Sequence, residues 1–127
     1  MLTCLALVLA VGAAELPSLA AEVEAEARSL TARTEISPEL FAGIEEFSTD
    51  AESLSASLRQ LGVEADLPCI FHGISEDARV RATELQAAAT PAEREAAFTN
   101  LRVLLDDAIL IAPMAAAAAA ERRENPD

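Results

Sequence analysis

Leu40, Ile44, Phe47, Ala51, Leu54, Leu58 and Leu61 recur at alternating spacings of four and three residues. That rhythm predicts one helix with a continuous apolar seam, of the kind that packs against neighbouring helices at shallow angles. A single helix cannot bury such a seam, so the rest of the chain must supply partners for it. Its ends are marked too. Ser37-Pro38-Glu39 offers a capping hydroxyl, a proline at the first helical position and a carboxylate near the positive end of the helix dipole. Gly62 is the expected C-terminal cap. Phe41 widens the seam, so Leu40, Phe41, Ile44, Phe47, Leu54 and Leu58 are expected to meet a partner protein as well as the chain's own helices. Ser48, Thr49, Ser53, Ser55 and Ser57 fall off the seam and predict a polar flank.

The partners are legible by the same spacing. Leu19, Val23, Ala27 and Leu30 line one face of an earlier helix opened by Pro17 and Ser18, opposed by Glu22, Glu24 and Glu26. A third helix begins at Asp66 and presents Ile70, Ile74, Ala78, Ala82, Leu85 and Ala89. Gly73 followed by Ser75-Glu76-Asp77 leaves two readings open, one helix kinked there or two helices meeting. Thr90-Pro91-Ala92-Glu93 is a capping box that starts the last helix. That helix repeats the seam through Phe98, Leu101, Leu105, Ala108, Ala112, Ala115 and Ala119, and Pro113 is expected to bend or divide it. The expected architecture is all-α: a small antiparallel bundle of about four helices over residues 15–120, with a frayed tail at 121–127.

Residues 1–14 stand apart, as an uncharged apolar run that stops at Glu15. Their length and small terminal residues match a signal-peptide core, with cleavage expected after Ala14 and as late as position 20, although no basic residue precedes the run. As a helix the run would reach only about 20 Å, short of a bilayer's hydrocarbon core. The expectation is an exported, periplasmic protein of a GC-rich bacterium, with no membrane association after cleavage. A net charge of −13 repels phosphates and anionic lipids, which argues against nucleic acid as a partner.

Cleavage would remove Cys4 and leave Cys69 as the one cysteine. Cys69 and His72 lie three apart near a helix start and would share a face. A thiol there is a candidate for redox chemistry or a disulfide between chains. The pair is a weaker candidate for two ligands of a soft metal, with Asp66 or Glu76 as further donors. Against both stands a small apolar Cys69 packed in the core. Asp106 and Asp107 interrupt an apolar stretch and are candidate buried carboxylates, with Arg102, Arg79 or Arg81 as partners. His72 and Met114 are an unsupported haem pair, since no attachment motif is present and Met114 suits a core gap. No phosphate loop, zinc-protease or hydrolase motif occurs. The functional expectation is a non-catalytic, cofactor-free bundle acting by protein–protein interaction, itself or another protein being the partner. The alternative is a thiol-redox or metal-binding protein centred on Cys69 and His72.

Overall fold

The computed structural model describes residues 15–64 and 66–125. The leader-like run at 1–14, including Cys4, lies outside the described residues. Four helices follow in order: α1 (Leu16–Thr31), α2 (Pro38–Leu61), α3 (Asp66–Ala87) and α4 (Pro91–Glu124). There is no strand among the described residues.

The helix ends form as the capping chemistry requires. Ser37 Oγ accepts from the Leu40 amide at 3.1 Å, and Thr90 Oγ1 accepts from the Glu93 amide at 3.1 Å. At the other end of α2, Gly62 takes φ +87°, and the Val63 amide closes back onto the Leu58 carbonyl at 3.0 Å. Only glycine enters that left-handed conformation without strain, which is why the helix stops there. Arg122 Nε, on the last turns of α4, donates to the Leu61 carbonyl at 3.3 Å. A cation thereby sits at the negative end of the α2 dipole and ties the two helices together.

α1 packs most extensively on α4 and α2 on α3, with lesser contact between α1 and α2 and between α3 and α4. This places α1 and α3 on opposite corners of an up-down-up-down square. The apolar seam of α2 forms its centre: Leu40, Ile44, Phe47, Ala51, Leu54 and Leu58 are all buried. They meet Phe71, Ile74 and Leu85 of α3 and Phe98, Leu101 and Leu105 of α4 in one core cluster. Each large side chain buried this way contributes about 1.5–3 kcal/mol. In the second half of α4 the buried positions are alanines, Ala108, Ala112, Ala115 and Ala119, which let α1 approach closely.

Of the two readings left open at Gly73, the structure has the single helix: α3 runs without interruption through that residue. α4 continues through Pro113, an exposed residue whose ring faces outward. The helix also extends to Glu124, which leaves a shorter tail than expected because the alanine run carries it on.

Candidate functional site

Two of the serines on the polar flank of α2, Ser48 and Ser55, build an inter-helix ladder. Ser48 Oγ donates to the Ser75 carbonyl at 2.8 Å and lies 3.0 Å from Ser75 Oγ. Ser55 Oγ donates to the Pro68 carbonyl at 2.5 Å. Between these two rungs His72 Nδ1 faces both carboxylate oxygens of Glu52 at 2.9 Å, and at the outer end Arg79 Nη2 donates to Glu45 at 3.3 Å. Each advance of three or four residues along α2 meets a retreat of four or three along α3. The ladder therefore records an antiparallel pair in coiled-coil register. Ser48, Ser55 and Ser75 are fully buried, and small side chains at those positions allow the two backbones to approach.

His72 is held on both sides. Nδ1 faces the buried carboxylate of Glu52, and Nε2 faces Glu76, one turn further along α3. Each ring nitrogen thus has its own carboxylate partner. Neither ring nitrogen is open to a metal or haem iron. Cys69 is disulfide-bonded. A bonded sulfur offers no thiolate for nucleophilic attack or metal ligation. The Cys69–His72 pairing therefore does not assemble as a two-ligand site.

Other expected positions fall elsewhere. Asp106 and Asp107 are both exposed, because the apolar residues around them turn toward α1 and the core while these two face water. Arg79 pairs with Glu45, Arg81 with Glu84, and Arg102 lies 5.6 Å from the centre of the Phe98 ring. The buried carboxylate is Glu52 instead, at 8% exposure. The seam residues Leu40, Ile44, Phe47, Leu54 and Leu58 are consumed by the bundle's own core, and Phe41 packs against that core, so this seam is not a partner surface. Met114 is exposed instead of filling a core gap.

A second acidic group joins α1 and α2. Carboxylate oxygens of Glu26, Glu46 and Asp50 lie within 4.8 Å of one another. Burial raises Glu26 from 4.5 to about 9, helped by a hydrogen bond with Asp50 and by the charges of Asp50, Glu46 and Glu22. Oxygens so placed are donors of the type that hard cations accept. Glu26 therefore keeps its proton at neutral pH beside the Asp50 and Glu46 carboxylates.

The outward face of α4 is the largest departure from an ordinary bundle surface. Val103, Leu110 and Met114 are 59%, 71% and 57% exposed. At 100° per residue they lie within about 40° of one another, a single stripe. Residues 108–120 carry no charged side chain, whereas the exposed Asp106 and Asp107 lie between Val103 and Leu110. α4 is also long and apolar enough by composition to cross a membrane, with 33% of its most apolar window buried in the bundle. A cavity of about 410 Å³ lies at the C-terminal end of α4, between Gly62, Val63, Glu64, Asp66 and Leu67 on one side and Ala118, Glu121, Arg122 and Asn125 on the other. Comparison with models of known protein families, with curated proteins and with solved structures found no match. The residues of this chain alone therefore carry its functional reading.

Proposed function

We propose that this protein is a non-catalytic binding module that associates with another protein chain, in the first instance a second copy of itself, through the outward stripe of α4. The observation carrying this reading is the exposure of Leu110 and Met114 on a charge-free stretch, with Val103 in line with them beyond Asp106 and Asp107, in a chain of net charge −13. An apolar surface of that kind, edged by acidic residues, is the composition of an interface core with a polar rim. A two-fold arrangement would lay the stripe of one copy against that of the other and bury each leucine and methionine.

The partner is a protein and not a nucleic acid, because the same net charge repels phosphate. The repulsion extends to anionic lipid surfaces, and part of the apolar window of α4 is spent on packing within the bundle. The compartment we propose is an oxidising one outside the cytoplasm, such as a periplasm. The leader-like residues 1–14 and the disulfide at Cys69 both support that placement. Sedimentation equilibrium across a dilution series, at low and at high salt, tests the association. Two chains of like charge repel less as salt rises, so the dimer should tighten with ionic strength. A monomer at every concentration and salt would remove the self-association reading.

A further inference from the structure

We propose that the pocket between the α1–α2 connection and the first turns of α4 binds a small organic carboxylate, its charge held by Arg94 and Arg102 and its apolar body by Ile36 and Phe98. The pocket has a volume of about 490 Å³, and its walls include Glu35 and Ile36 of the connection and Arg94, Glu95, Phe98 and Arg102 of α4. Small-molecule sites are typically about 300–1,000 Å³. Arg94, Phe98 and Arg102 recur at every fourth residue, so they lie within about 80° of one another around the helix axis. They are about 100–180° away from the outward stripe of Val103, Leu110 and Met114. The site is therefore separate from the association surface proposed above, and neither reading rests on the other.

The two arginines are what set this pocket apart. The chain has 22 acidic residues against 9 basic ones, and Arg28, Arg79 and Arg81 each pair with a glutamate. Arg94 and Arg102 are half-buried, yet neither makes an ion pair among the described residues. A guanidinium partly withdrawn from water without an acid carries a desolvation cost, which a bound anion would offset. Its planar fork of N–H donors matches a carboxylate. The Arg102 guanidinium lies over the Phe98 ring, 5.6 Å from its centre. That contact is made to the face of the ring and uses none of the N–H donors. Glu35 and Glu95 also line the pocket but are exposed, so the positive charge sits deeper than the negative. With acids at its rim, the pocket favours a single negative charge over a phosphate dianion. Ile36 is 38% exposed beside Phe98, and an apolar body laid there would take this side chain out of water.

The test titrates the full chain with phenylacetate and follows the backbone amide and arginine Nε–H signals by NMR. Signals of Ile36, Arg94, Phe98 and Arg102 should shift together and saturate, with half-saturation at about 1–5 mM for a ligand of this size. Phenethylamine carries a similar body with the opposite charge, and inorganic phosphate carries charge without a body. Each should bind at least about tenfold more weakly than phenylacetate. Arg94→Gln and Arg102→Gln should each weaken phenylacetate binding about fivefold or more. Arg123→Gln removes the same charge in the last turn of α4 and should bind as wild type does. The absence of a saturable shift up to about 30 mM would overturn the proposal, as would amine or phosphate binding as tight as that of phenylacetate. Wild-type affinity in both pocket variants, or an equal loss in Arg123→Gln, would overturn it too.

Discussion

His72 Nδ1 lies 2.9 Å from each carboxylate oxygen of Glu52, a bond that joins α3 to α2 in the middle of a ladder of buried serines. Removing either partner strands the other where water has little access. Glu52→Ala and His72→Ala are each expected to destabilise the fold by about 2 kcal/mol in urea denaturation. Glu76, on the other side of the ring, is 64% exposed along its side chain, so Glu76→Ala should cost about 0.5 kcal/mol or less. The two single variants at 52 and 72 should also couple in a double-mutant cycle. Additive effects would show that the pair contributes nothing as a pair.

Glu26 makes stability depend on pH in an unusual direction for a carboxylate. The folded chain holds its proton up to about 9, whereas the unfolded chain releases it near 4.5. Folding therefore takes up a proton between those values. The stabilisation is complete below pH 4.5, declines as pH rises, and is lost above pH 9. Glu26→Gln keeps a neutral side chain at every pH, so it should flatten this decline and raise the melting temperature at pH 8 more than at pH 4. A wild type and variant with parallel pH profiles would contradict the raised Glu26.

Two glycines should respond in opposite ways to the same substitution. Gly73 sits inside α3 with no atom within 4 Å of an added Cβ, so Gly73→Ala is expected to stabilise by about 0.5–1 kcal/mol. Gly62 has φ +87°, and an added Cβ would meet the Arg122 guanidinium at 3.1 Å. Gly62→Ala should destabilise by about 1–2 kcal/mol, from left-handed strain and from disturbing the bond between Arg122 and the Leu61 carbonyl. Thermal melts of the two variants decide both.

Which parts of this were legible in the sequence follows from what each signal measures. Ser37, Gly62 and Thr90 act on backbone groups within four residues, and their local chemistry placed both ends of α2 and the start of α4 correctly. The heptad rhythm of Leu40 to Leu61 reports burial but not what buries it, so a surface reserved for a partner and a bundle core look alike. Asp106 and Asp107 were misjudged because adjacent residues on a helix can face apart from an apolar run that surrounds them in sequence. The ladder did leave a trace. Glu45 and Glu52, Ser48 and Ser55, and His72 and Arg79 are each seven residues apart. That polar heptad beside the apolar one becomes meaningful only when two helices are set in antiparallel register. The exposure of Leu110 and Met114 left no such trace, since apolar periodicity in α4 runs on both its faces.

The α4 stripe is the claim on which the functional account stands, and a charge placed on it is the most direct trial. Leu110→Arg should leave thermal stability within about 0.5 kcal/mol of wild type, because this side chain is 71% exposed. Val80→Arg, at an exposed apolar position on α3, serves as the matched control. Sedimentation equilibrium of the three proteins at high salt should give a concentration-dependent dimer for wild type and Val80→Arg, and a monomer for Leu110→Arg. If Leu110→Arg dimerises as tightly as wild type, or wild type stays monomeric throughout, the outward face of α4 is not where this protein meets its own kind.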